Sequence, residues 1–254
     1  FGMYENIVKF HPGLSVLVVV HCEDPLYALK DTIPQRENLL FNPVRYKKAR
    51  FSSSIFLAHL DNYDLVKHHD FDFFCLLSSN NMFVRPIDLE AVKKSTPPLD
   101  PRRAGYSLGD KEMWMWEEFV KNTALVDLFK RHGLFVMISP HPGTYYYRLV
   151  IDFIFRFCVA NKINKEIFVN DVFGAEEVMF PTLEFFATGY VSKKYAVCLY
   201  GTTEKDITDV ITTGSCRSHS QNHFTIVRVD RNPENELRKM VNEIQLKTTN
   251  YASY

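Results

Sequence analysis

The chain has no charge excess, no metal-type cysteine pairing and no long apolar run. Its 254 residues carry 30 Lys plus Arg against 30 Asp plus Glu. Phosphate-backbone binding rests on surplus cations, so this balance argues against nucleic acid as a partner. Cys22, Cys75, Cys158, Cys198 and Cys216 are scattered, odd in number and form no CxxC pair, which makes a structural zinc site a poor expectation. No Asn-x-Ser/Thr sequon occurs. Together with the cysteine pattern this leans toward a reducing compartment. No apolar stretch approaches the ~20 residues of a membrane span. The longest, Leu149 to Ala160, is interrupted by Asp152 and Arg156. The chain opens at Phe1 rather than Met, which leaves room for a preceding signal or anchor.

What is present is ample core material, 46% hydrophobic and 14% aromatic, without the composition break expected between two domains. One domain over residues 1–254 is therefore expected. Short Val-rich or aromatic runs predict strands at Leu14–His21, Phe73–Leu77, Leu134–Ile138, Ala196–Tyr200 and Phe224–Val229. Between them lie helical patterns. Asp110 is placed to cap a long helix ending at Gly133, Tyr145–Val159 forms a second, and Asn232-Pro233-Glu234 opens a C-terminal one. Gly174 to Thr182 leads into an aromatic-rich helix, and Ser95–Arg103, rich in Pro, is a surface loop. Alternating strands and helices predict an α/β domain with a mostly parallel sheet covered by helices on both faces.

Ligands in open α/β sheets gather at the carboxyl ends of strands. The second predicted strand stops in Ser78, Ser79, Asn80 and Asn81, a run of donors and acceptors suited to sugar hydroxyls or diphosphate oxygens. The same residues also favour a plain turn. Asp70 and Asp72 precede this strand, at its other end, so the carboxyl end lacks the carboxylates that Mg²⁺ or Mn²⁺ would want. His21, Cys22, Glu23 and Asp24 end the first strand. His21 can touch a nucleotide or serve as a packing histidine. Glu176 and Glu177 begin the aromatic-rich helix. Acidic residues there meet the helix dipole without needing a function, yet apolar neighbours can tune one into a general base. Lys193 and Lys194, with Arg228 and Arg231, set cations beside the last two strands. On a solvated surface they need no role, but a departing diphosphate requires such charge when no metal is present.

Several of these stretches, in this order, resemble the core-2/I-branching β-1,6-N-acetylglucosaminyltransferase family, which includes the peptide O-xylosyltransferases. The likeness runs from about Leu14 to Ile244. His21-Cys22-Glu23-Asp24 resembles the family's His-x-Asp strand end, and Asn42-Pro43-Val44 its Asn-Val. Arg50 to Leu60, with Ser54 and Ala58, resembles Trp-Gly-x-x-Ser-x-x-x-Ala without the Trp and Gly. Phe71 to Asn81 resembles Asp-Tyr-x-x-x-Leu-Ser-Gly-x-Asp, with Ser79 for the Gly and Asn81 for the last Asp. Glu176-Glu177-Val178-Met179-Phe180-Pro181-Thr182-Leu183 resembles Asp-Glu-His-x-x-Pro/Ala-Thr-Leu, the motif that holds the base. His223 to Asp230 resembles His-Leu-Phe-Ala-x-Lys-Phe-Asp.

The resemblance implies a GT-A-type glycosyltransferase fold. It also implies inverting, metal-independent transfer from a nucleotide-diphosphate donor, UDP-N-acetylglucosamine or UDP-xylose, to a hydroxyl of a glycan or glycoprotein. Glu177 falls on the base and Glu176 on the neighbouring Asp. Arg228 falls on the diphosphate-binding Lys, with Lys193 or Lys194 substituting for a second cation that aligns near Tyr195. His21, Ser54, Ser78, Ser79, Asn80 and Asn81 would hold the donor. Trp114, Trp116 and Tyr145 to Tyr147 offer faces on which an acceptor sugar would stack, although large aromatics are usually buried. No cofactor and no metal are expected. Family members are anchored in the Golgi membrane; a soluble microbial or viral relative would be cytoplasmic. The alternative is a glycan- or nucleotide-sugar-binding module that kept the fold and lost turnover.

Overall fold

In a computed structural model the chain is a mixed α/β protein. The structure describes residues 2–22, 28, 30–44, 54–94, 116–139, 142–168, 174–192, 196–198, 203–213, 224–227 and 229–251. Helix α1 (Gly2–Phe10) leads to β1 (Val18–Val20), which pairs in parallel with β2 (Leu39–Phe41). Helix α2 (Ser54–Val66) follows, and its Asn62 receives a hydrogen bond from the buried Asn42 amide at 3.0 Å, tying the helix to the end of β2.

Strand β3 (Phe73–Leu76) pairs antiparallel with β5 (Thr144–Tyr147), in the register Phe73↔Tyr147 to Leu76↔Thr144. A third sheet has β4 (Met82–Phe83) antiparallel to β7 (Thr225–Val227), with β6 (Ala196–Cys198) parallel to β7 on its other side. Asn6 of α1 finishes the open edge of β4 by accepting from Phe83 N at 2.6 Å and donating to Phe83 O at 3.0 Å. A side-chain amide thus stands in for the missing strand, which blunts an edge that would otherwise invite pairing.

These ladders correct the expectation of one mostly parallel sheet. Strands of two to four residues form separate small sheets, and antiparallel pairs are as numerous as parallel ones. The coarse class, mixed α/β, stands. Of Leu134–Ile138 only Val136 forms a bridge. Its neighbour Met137 exchanges hydrogen bonds with the Thr182 hydroxyl instead, N to Oγ1 at 2.9 Å and Oγ1 to O at 3.3 Å. A helix side chain has taken the place of a partner strand. Tyr145–Val159 also divides differently: the alternating Thr-Tyr-Tyr-Tyr makes β5, and helix α6 (Arg148–Ala160) starts only where Val150, Ile151, Ile154 and Cys158 give a helical apolar face.

The segment expected as one long helix ending at Gly133 contains α4 (Trp116–Lys121) and α5 (Thr123–His132), separated at Asn122. Asn122 caps α5 by accepting from Leu125 N at 3.1 Å and donates to Ile167 O at 2.8 Å. Gly133 closes α5 in the left-handed conformation, φ 62°, as its position predicts. Asp110 lies outside the described residues. Helix α3 (Leu89–Lys94) and α8 (Glu204–Thr213) complete the middle of the chain. The C-terminal helix α9 (Glu236–Tyr251) begins one turn later than expected, because Asn235 rather than Asn232 accepts from Arg238 N at 3.1 Å.

The main core lies where α2, α5, α6 and α7 (Ala175–Thr188) meet the β3–β5 ladder, with Phe56, Phe129, Ile151, Ile154 and Phe180 fully enclosed. Phe56 and Phe180 meet edge to face at 4.8 Å, which fixes α7 against α2. No described helix is long and apolar enough to cross a membrane.

Candidate functional site

β3 is apolar until Leu77, and the backbone then turns. Asn81 N donates to Ser78 O at 3.0 Å, and the Asn81 side-chain oxygen accepts from Ser78 N at 3.1 Å. Asn81 is 1% exposed, so it builds the turn from inside while Ser79 faces solvent. The turn is held from far along the chain. Val229 N donates to Asn80 O at 3.1 Å, and the Arg231 guanidinium donates to the Ser79 hydroxyl. The β4–β7 pairing next to it, Met82↔Ile226, aligns the two segments. Two stretches that the sequence singled out separately therefore lie side by side.

The start of α7 reaches the same end of β3 through a short connection. Helices bond each N–H to the carbonyl four residues earlier. Pro181 has no N–H, so the Glu177 carbonyl lacks its helical donor. Ser139 N takes that place at 2.9 Å. A few residues on, Gly143, at φ 78°, donates to Leu76 O at 2.7 Å. Ser139 is thus held on the Glu177 backbone and Gly143 on the last residue of β3. Asn81 Nδ2, Ser139 Oγ and Thr144 Oγ1 are buried without a hydrogen-bond partner among the described residues.

Glu177 is half-buried in the first turn of α7, whereas Glu176 is 2% exposed. Of the pair, Glu177 is the more exposed. His21, the residue immediately after β1, stands close enough to His59 of α2 for its charge to matter. Burial first, and His21 second, push the His59 imidazole down to about 4. His59 in turn lies 6.0 Å from the Phe180 ring, one turn beyond Glu177. His21 is thus on the α2–α7 side of the molecule. Ser54, the first residue of α2, is buried.

Other expectations fare differently. Tyr145 is 4% exposed and packs with Phe83 and Phe224, so its ring is core and not a sugar platform. Its register opposite Cys75 turns it to the face of the β3–β5 ladder that is closed by that cluster. Arg228, Lys193, Lys194 and Trp114 lie outside the described residues. Asp70 and Asp72 sit at the amino end of β3, where Arg148 pairs with Asp70 at 2.8 Å and donates its backbone N–H to Asp72 O at 3.0 Å. The length of β3, about 13 Å at ~3.3 Å per residue, separates them from the 78–81 turn. Among the described residues no group of three or more His, Cys, Asp or Glu gathers to hold a metal.

Sequence reasoning passed over Glu184. It lies two turns beyond Glu177 on the same helix face and is fully buried. Ser192 N donates to one of its oxygens at 2.8 Å and the Ser192 hydroxyl meets the other. Burial raises the Glu184 carboxyl to about 7, against the lowering effect of the two Ser192 bonds. The adjacent Tyr146 phenol is pushed well above its ordinary value by burial and then by Glu184. The signal was there: a carboxylate between Leu183 and Phe185, inside the apolar stretch that follows Glu176 and Glu177.

Compared with protein-family models, with curated proteins and with solved structures, the chain finds no match.

Proposed function

We propose that this protein is an inverting, metal-independent glycosyltransferase that moves a sugar from a UDP-type donor, UDP-N-acetylglucosamine or UDP-xylose, to a glycan hydroxyl, on a GT-A-type fold. One observation carries the reading. Motif-like segments far apart in the sequence converge on the carboxyl end of β3: the 78–81 turn, the 229–231 stretch that holds it, and the start of α7 linked through Ser139.

In this reading the Glu177 carboxylate removes the proton from the acceptor hydroxyl. That oxygen attacks the anomeric carbon in line as the carbon–oxygen bond to UDP breaks, and the diphosphate leaves with the bonding pair. Base assistance of this kind gives ~10²–10⁴-fold in rate. Arg228 supplies the charge that stabilises the leaving diphosphate, with Lys193 or Lys194 as the second cation. Ser78, Ser79, Asn80, His21 and Ser54 contact the nucleotide and donor sugar, while Asn81 shapes the turn that presents them.

A binding-only module is the second reading. It is favoured by Ser79 and Asn81, which stand where the family pattern has Gly and Asp, and by the use of the Asn81 oxygen within the turn itself. A thermal-shift screen of nucleotide sugars in EDTA, followed by donor hydrolysis, separates the two. A shift with UDP release supports transfer, a shift without turnover on any acceptor supports binding alone, and no shift refutes both.

A further inference from the structure

We infer that the outer face of α6, with the end of α7, docks on an anionic phospholipid surface. α6 is apolar on both sides. Val150, Ile151, Ile154 and Cys158 fill the core, yet Leu149 is 82% exposed and Val159 62% exposed on the opposite side. Phe153 and Phe157, half-buried one and two turns on from Leu149, meet Phe186 of α7, 46% exposed, at ring separations of 6.1 and 5.9 Å, while the Asp152–Arg156 ion pair separates Leu149 from Val159 on the helix surface. Phe135, 58% exposed, adds a further ring beside Phe185 at 6.5 Å. Large apolar side chains gathered at one place on a surface mark an interaction site. At ~1.5 Å per residue α6 is only about 20 Å long, too short to span a bilayer but suited to lie in its interface.

The surroundings select the occupant. His132 rests edge-on against Phe157 at 5.0 Å and bonds Asn161 at 2.9 Å, joining the ends of α5 and α6. Close to these two residues along the chain are Lys130, Arg131, Lys162 and Lys165, all exposed and none in an ion pair with another described residue. Nearby carboxylates are Asp127 and Glu166, so the rim is net positive. At the far end, Arg148 and Arg156 flank Leu149 but are already paired with Asp70 and Asp152. A second copy of the chain is the poorer occupant. A two-fold interface would bring two net-positive rims into one contact. An anionic bilayer takes up the rings and the cations together.

This face does not rest on the proposed chemistry. It lies toward the end of α7, about 14 Å at ~1.5 Å per residue from Glu177 at the start. Vesicle co-sedimentation tests it, with phosphatidylcholine alone and with phosphatidylcholine mixed with phosphatidylserine. The chain should pellet with the mixed vesicles only, and high salt should release it. Lys130→Gln, Arg131→Gln and Lys162→Gln should each weaken partitioning about fivefold. The Leu149→Ser/Val159→Ser pair, at exposed positions, should abolish it. Equal pelleting with neutral vesicles, or none at low salt, overturns the inference. So does a lipid-free dimer in sedimentation velocity that the Leu149→Ser/Val159→Ser pair dissociates.

Discussion

Replacing Glu184 by Gln should make the protein more stable at neutral and alkaline pH and leave it nearly unchanged in acid. The carboxyl stays protonated up to about 7 in the fold, against an ordinary value of 4.5. Between those values the native state holds a proton that the unfolded chain has released. Stability from this group is therefore complete below pH 4.5 and is lost as pH rises through about 7. At ~1.4 kcal/mol per pH unit the total is about 3 kcal/mol, or about 6 to 12 °C in Tm for a domain of this size. Gln is neutral at every pH and fits the same contacts, accepting from Ser192 N through its oxygen and donating to the Ser192 hydroxyl. Wild type alone would hide the effect, because His59, held down to about 4 in the fold, contributes a slope of the opposite sign between pH 4 and 6.5. The informative quantity is the difference between Glu184→Gln and wild type, from urea unfolding at several pH values. A gain that grows from pH 5 to pH 8 supports the argument. A difference that does not change with pH refutes it, since a buried ionisation is then not its origin.

Glu177→Gln should lower kcat by ~10²–10⁴-fold while donor affinity is kept, and Glu176→Gln should cost far less; reversal of that order in a transfer assay moves the base by one residue. Pro181→Ala restores an N–H that competes with Ser139 for the Glu177 carbonyl. Tm should hold or rise while kcat falls, by up to about 100-fold if the base shifts by an ångström, and an unchanged kcat counts against this positioning. Asn122→Ala removes both the α5 cap and the bond to Ile167, so urea unfolding should show a loss of about 2 kcal/mol; a loss under about 0.5 kcal/mol means that the cap is redundant.

Local chemistry was readable from the residues. Gly133 ends α5 where a left-handed cap was expected, the acidic start of α7 is in place, and Ser78 to Asn81 do form the turn after β3. What escaped reading depends on partners far away. Leu134–Ile138 has the composition of a strand, but its backbone finds Thr182 and Glu177, and no spacing rule shows that. Tyr145 carries the same polar tip as an exposed ring, and only pairing with Cys75 consigns it to the core. The sheet class failed for a related reason: strands this short do not record which neighbour they take. Pro181 is the intermediate case, since its missing N–H is plain in the sequence while the donor that replaces it is not.

The contacts that close the site differ greatly in reach. Thr182 meets Met137 across 45 residues, whereas Arg231 meets Ser79 across 152. Chain entropy makes the longer closure costlier by only about 1 kcal/mol, yet long-range pairings are the slow ones to form. The α7 side, enclosed in the main core, would then assemble early. The 78–81 turn would be completed late, by an exposed hydrogen bond from a distant segment, and exposed bonds of this kind are the first to open in the native state. Hydrogen exchange should accordingly find the two halves of one site in different folding units, with α7 protected long after the turn has exchanged.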